Sequence, residues 1–266
     1  MAEQRQELLM RLGFRFGISG THAARTMMLN DLRALFAHTL PEATRADYAS
    51  LIIDSNLLGK PTRKSRELTF RHLVSLYALT PTNPIFRMLR RLWSLDDKAQ
   101  PMLALAMALA RDPLLRSSQN FFLEQPVGTV VAHNAVMQFL STTYPDRFSP
   151  ASLRSLARNI AGSWTSAGIL QGKFHKLRAS VPNSPELSTL LLFLGYLEGR
   201  TGQRLFSSAW MKLLGASSSE SDALVNAASH RGLLVFMSVG DVKEVRFPNC
   251  LTPEEECARL EVSHVI

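Results

Sequence analysis

Cysteine is nearly missing from this chain of 266 residues, which carries only Cys250 and Cys257. Two thiols can neither build a disulfide framework nor fill a four-ligand zinc site, so a reducing compartment is the simpler setting. Long apolar runs are missing too. Met102–Ala110 and Leu190–Leu197 fall well short of the ~20 residues that a bilayer-spanning helix needs. The opening stretch MAEQRQELLMRLGFRF carries Glu3 and Glu7 and has neither the apolar core nor the small-residue cleavage site of a secretory signal. No export is expected, and the expected location is the cytoplasm.

Catalytic and nucleotide-binding signatures are missing in the same way. Gly13, Gly17 and Gly20 precede a helical pattern, but no strand leads into them as a dinucleotide fingerprint requires. Gly59-Lys60 resembles the end of a phosphate loop, yet Asp54 stands at the first glycine position and Pro61 at that of the hydroxyl residue. A helix start after Gly20 suits an isolated phosphate, including one of a nucleic-acid backbone. The seven histidines have no HxH or HExxH spacing, and Cys250, Cys257 and His264, though regularly spaced, lack a fourth metal ligand. No Gly-x-Ser-x-Gly elbow and no nuclease-like acidic cluster is present. The expectation is a protein without catalytic residues, metal, cofactor or small-molecule substrate.

What is present describes a folded chain, 46% apolar and 20% charged. Helical spacing dominates. Residues 22–55 read as two helices on either side of Pro41, with Met28, Leu32, Leu35 and Phe36 on one face. The segment from Thr62 aligns Leu68, His72, Leu73, Leu76 and Leu79, with Pro61 as its first helical residue. Ile85–Trp93 turns Phe86, Leu89 and Trp93 inward and Arg87, Arg90 and Arg91 outward, and Met102–Ala110 has the all-round apolarity of a buried central helix.

Beyond Pro126-Val-Gly128 the pattern changes. A helix over Ala132–Thr143 leads to a turn, a second helix capped by Ser149-Pro150 and stopped by Gly168, and then the basic ribbon Gly172–Arg178. This order suits a winged helix-turn-helix. It recurs in Leu187–Leu197, Leu205–Leu214 and a helix begun by Ser218 or Ser219, followed by two β-branched runs flanking Val239-Gly240-Asp241, a hairpin signal. The predicted fold is mainly α: an N-terminal helical domain (1–126), a basic winged-helix-like module (127–182), a second with a β-hairpin wing (183–250), and an acidic tail (251–266) read as loose helix or coil.

The formal charge of +8 favours a polyanionic partner, and it is concentrated. Lys60–Arg91 holds eight bases against Glu67 alone, and Arg147–Arg178 holds six bases and no acid. A solvated helix face explains the first window as well as binding does; the second, free of acids, favours binding. Arg154 and Arg158, four apart, share a helix face with Ser155 and Asn159 alongside. Double-stranded DNA is the expected partner, with Arg154 and Arg158 at the groove or phosphates, Lys173, Lys176 and Arg178 on the flanking backbone, and Lys60, Arg63, Lys64 and Arg66 on a further backbone segment. The alternative is a protein–protein adaptor in a larger complex. For the hairpin module it is the better reading, since Glu220, Asp222, Asp241 and Glu244 oppose approach to phosphate. Neither a membrane-docking face nor an aromatic single-strand RNA platform stands out.

The stretch Asn56-Leu-Leu-Gly-Lys-Pro-Thr-Arg-Lys-Ser-Arg66, with its following helix, resembles the N-L-L-x-K-x-[ST]-x-x-[ST]-x-R region of the BrxA family, encoded in BREX phage-defence islands. SPASLRSLARNIAGSWTSAGIL resembles that family's capped helix and its alanine-glycine-leucine end; the segment 187–248 extends beyond the likeness. The resemblance implies an all-helical DNA-binding accessory protein with winged-helix-like parts and no catalytic centre, acting beside other phage-defence proteins.

Overall fold

The computed structural model describes residues 2–173, 175–240 and 242–264. Helix makes up 58% of the structure and strand 7%, the strands forming two small antiparallel sheets. The first part contains α1 (Ala2–Arg11), a 3-10 turn (Thr21–Ala23), α2 (Leu29–Ala37), α3 (Arg45–Ala49), a π-helical turn (Ser50–Asp54), α4 (Arg63–Tyr77), α5 (Pro84–Trp93), α6 (Gln100–Arg111), α7 (Pro113–Arg116) and α8 (Gln119–Leu123). Next come β1 (Val130–Val131), α9 (His133–Thr143), α10 (Pro150–Ser166), β2 (Leu170–Gln171) and β3 (Lys176–Arg178). The last part has α11 (Pro185–Leu197), α12 (Gly202–Phe206), a 3-10 turn (Met211–Leu214), α13 (Ser218–His230), β4 (Val235–Val239), β5 (Val242–Arg246) and α14 (Pro253–His264).

α6 is the hub. Every residue of Met102–Ala110 is at most 1% exposed, which an all-round apolar helix requires, and α4, α5, α7, α10 and α11 pack around it. α11 is buried almost as completely and joins α6 to α13. The middle segment runs helix, strand, helix, helix, strand, strand, and its sheet has the order β1-β3-β2. Val130 pairs with Leu177, and Leu170 with Arg178. This is the strand order of a winged helix-turn-helix. The β4–β5 hairpin aligns Val235 with Arg246 and Val239 with Val242; Asp241 in its turn lies outside the described residues.

Several local expectations shift. α4 starts two residues later than Pro61 suggests, at Arg63, because Thr62 and Ser65 form a reciprocal capping box. Leu68 is 36% exposed and stands off the buried stripe of Leu73, Leu76 and Leu79. The helix expected over Leu205–Leu214 breaks in two where the Ser208 hydroxyl accepts from the Met211 amide. α13 is capped by Ser217, not Ser218 or Ser219, through a capping box with Glu220. The acidic tail is an ordered helix, α14, docked on α1 with Ala258 and Val262 buried.

Candidate nucleic-acid interface

The exposed basic surface is built on α10. Ser149 starts this helix by accepting the Ser152 amide, Pro150 occupies its first turn, and Gly168 with φ +87° ends the segment. Its inner face buries Leu156, Ile160 and Trp164, and the Trp164 indole donates to the Ser118 hydroxyl at 3.0 Å. With that face fixed inward, Arg154, Ser155 and Arg158 are exposed. Neither arginine has an ion-pair partner among the described residues. Asn159 turns the other way and donates to the His22 carbonyl at 2.9 Å, so it is not part of the exposed face.

Arg158, Lys173 and Lys176 meet around a recess of about 230 Å³ between α9, α10 and the hairpin, floored by Val131, Val136 and Leu170. His133 also lines it. Lys173 is exposed; the neighbouring Phe174 lies outside the described residues. Lys176 is half-buried and donates to Thr165 Oγ1 at 2.8 Å, fastening the hairpin to α10. Burial pushes its ammonium pKa down.

Arg178 does not reach this surface. It is 8% exposed, and its guanidinium donates to the carbonyls of Phe122, at 3.2 Å, and Ala179. The remaining base of the second window, Arg147, lies over the rings of Tyr144 and Phe148 at about 5 Å and donates to the Ile18 carbonyl.

Several bases of the first window are engaged within the fold. Lys60 pairs with Asp31 at 3.0 Å, and Arg63 with Glu67 at 3.2 Å and Asp54 at 3.6 Å. Arg66 donates to the Ile53 carbonyl at 2.7 Å. Lys64 alone of these four is exposed without an ion pair among the described residues. Two arginines expected to point outward from α5 do not. Arg90 is 7% exposed, lies 4.1 Å from the Phe36 ring and donates to the Thr39 carbonyl, while Arg87 pairs with Glu255 of α14.

A buried polar chain supports α10 from behind and has no signature in the sequence. Asp112 Oδ2 lies 3.0 Å from His22 Nδ1, and His22 Nε2 lies 2.8 Å from Ser163 Oγ. Ser163 also accepts the Met27 amide at 2.8 Å and donates to the Asn159 carbonyl. Although the order is that of a hydrolytic triad, all three side chains are at most 1% exposed, and the serine's hydrogen-bonding capacity is already taken up inside the protein. The chain therefore works as a clamp between the N-terminal segment and α10. Gly20 is required here by close approach, because a Cβ would stand 2.2 Å from Asp112 Oδ1.

Among the described residues no group of three metal-binding side chains comes together, and no helix is long and apolar enough to cross a membrane. No protein-family model matches the chain. No curated protein matches it significantly.

Proposed function

We propose that this chain is a non-enzymatic double-stranded DNA-binding accessory protein, acting in the cytoplasm beside other phage-defence proteins. The observation that carries the reading is the pair Arg154 and Arg158, exposed four residues apart on the helix before the hairpin and unopposed by acid among the described residues. In a winged helix-turn-helix that helix enters the major groove, and the hairpin follows the adjacent backbone. Lys173 would then neutralise phosphate beside it, and Lys176 would hold the hairpin in position. The phage-defence setting rests on the likeness of residues 56–66 and 149–170 to the BrxA family. Gel shifts with duplex DNA, single-stranded DNA and RNA in parallel test the proposal. Duplex should be preferred, and Arg154→Glu with Arg158→Glu should weaken binding at least tenfold; unchanged affinity in the double variant would move the site elsewhere.

For the β4–β5 hairpin a protein partner is the better reading. Val235, Met237, Val239 and Val242 are 39–81% exposed, while Lys243 pairs with Asp222 and Arg246 with Glu244, both at 2.6 Å. An apolar strip whose flanking bases are neutralised favours a protein surface over phosphate. Complex formation that survives nuclease and is lost in Val239→Glu would support the adaptor role.

A further inference from the structure

Between the start of α2, the loop before α4 and the C-terminal end of α10 lies a cavity of about 750 Å³, a size suited to a small ligand. Arg25, Arg33 and Lys60 line it, with Asp31 as the one carboxylate, already held by Lys60 at 3.0 Å. Arg25 and Arg33 donate only to neutral oxygens, the Ala24 carbonyl and Gln100 Oε1. Two positive charges thus line the cavity without an anion.

The nine-residue helix α2 begins at the same place. Its N-cap, Met28, has the left-handed φ of 54° and supplies no side-chain cap, so first-turn N–H groups and the positive end of the helix dipole remain available. An independent observation comes from α4. Thr69 lines the cavity and is 4% exposed as a residue, and its hydroxyl, which has no hydrogen-bond partner among the described residues, is open to the cavity and not sealed in the interior. Its hydrogen-bonding capacity is therefore left for whatever fills the cavity. One turn further along α4, His72 Nε2 is buried and unpartnered. Burial lowers the His72 pKa, and the charges of Arg25 and Arg71 lower it further, which marks the surroundings as electropositive.

We propose that this cavity binds a phosphate monoester, carried by a free mononucleotide or by the 5′ end of a nucleic-acid strand. A dianionic phosphoryl group matches the two unopposed guanidinium groups, and its oxygens can accept from Thr69 and from the first turn of α2. The site is separate from the Arg154–Arg158 surface and does not depend on duplex binding there.

Calorimetry and 31P NMR on the full chain test the proposal with inorganic phosphate, adenosine monophosphate, and one duplex bearing either a 5′-phosphate or a 5′-hydroxyl. Inorganic phosphate or the mononucleotide should bind, or the 5′-phosphate duplex should bind more tightly than its 5′-hydroxyl counterpart. Arg25→Gln should weaken that small-ligand binding or that preference about tenfold and Thr69→Val several-fold, while Arg154→Glu, which weakens duplex binding as a whole, should leave the small-ligand affinity and the 5′-phosphate preference unchanged. Arg25 is exposed, so its variant keeps the fold, which circular dichroism verifies. Binding of the mononucleotide with no preference between the duplexes identifies a small ligand. A 5′-phosphate preference that vanishes in Arg25→Gln identifies a strand end. Binding of neither inorganic phosphate nor the mononucleotide together with no preference between the two duplexes, or equal weakening of small-ligand binding by Arg154→Glu, overturns the proposal. Duplex binding that fails while the mononucleotide still binds would count against the DNA reading alone.

Discussion

At the scale of single residues, the chain uses much of its arginine on backbone carbonyls at helix ends. Arg111 donates to Val74 and Ser75 at the end of α4, Arg116 to Leu109 and Ala110 at the end of α6, and Arg178 to Phe122 at the end of α8. Arg5 does the same at the Glu198 carbonyl after α11. Carbonyls in a helix's last turn carry the negative end of the dipole and keep accepting capacity beyond any backbone bond, so a guanidinium suits them. Burial nevertheless lowers the pKa of Arg111 to about 9 and that of Arg116 to about 10. Arg178→Ala should therefore cost ~2 kcal/mol in urea unfolding, whereas Arg154→Ala, on the exposed face, should stay within ~0.5 kcal/mol of the parent. The reverse pattern would exchange the structural and surface roles assigned to these residues. Asp112 makes a second prediction. Burial opposes its ionisation, but the His22 ring and the amides of Leu115 and His22 outweigh burial and hold its pKa below the ordinary 3.8. A carboxyl depressed in the folded state stabilises fully above its unfolded pKa and ceases to do so as pH falls through the folded value. Asp112→Asn should thus lower the thermal midpoint at neutral pH, and the gap from the parent should narrow below about pH 4; a gap constant from pH 7 to pH 3 would show that the charge plays no part.

At the scale of elements, strong local signals were legible and remote ones were not. α6 and α11 announced themselves by all-round apolarity, α10 by its serine cap and terminal glycine, and β4–β5 by paired β-branched runs around Gly240. β1 was invisible because two residues carry no period, and its pairing partner Leu177 lies far along the chain. α14 read as a loose tail because its acidic first turn dominates the composition. Its buried Ala258 and Val262 acquire meaning only through α1, at the other end of the chain. The candidate site divides in the same way. The exposure of Arg154 and Arg158 followed from i, i+4 spacing on an amphipathic helix. The inward turn of Arg66 and Arg178 did not, because their acceptors are carbonyls 13 and 56 residues away. The clamp of Asp112, His22 and Ser163 likewise joins residues as many as 141 positions apart. Since α10 carries both the surface arginines and the clamp, its N-cap should affect the whole element: Ser149→Ala is expected to cost ~1 kcal/mol in chemical unfolding. A null effect would show that tertiary packing alone fixes the start of α10.

At the scale of the whole molecule, net charge and binding charge are different quantities. The two basic windows contain fourteen Lys and Arg between them, and if each met a phosphate the affinity for duplex would fall with a log–log salt slope of about −13. The fold removes half of these groups from that role. Lys60, Arg63 and Arg87 meet carboxylates, Arg66, Arg90 and Arg178 meet carbonyls, and Arg147 lies on two aromatic rings. Exposed lysines and arginines such as Lys64, Arg71, Arg154 and Arg158 remain for phosphate. At about −0.9 per phosphate, four or five contacts correspond to a slope near −4, and Arg154→Ala with Arg158→Ala should reduce it to about −2. The decisive measurement is duplex affinity across a salt series for both proteins. A parent slope steeper than about −8 would mean that buried arginines become exposed on binding, and a slope near zero would remove the electrostatic basis of the DNA reading. The intermediate value follows if one face, centred on α10 and its hairpin, carries the contact while the remaining arginines hold helix ends together.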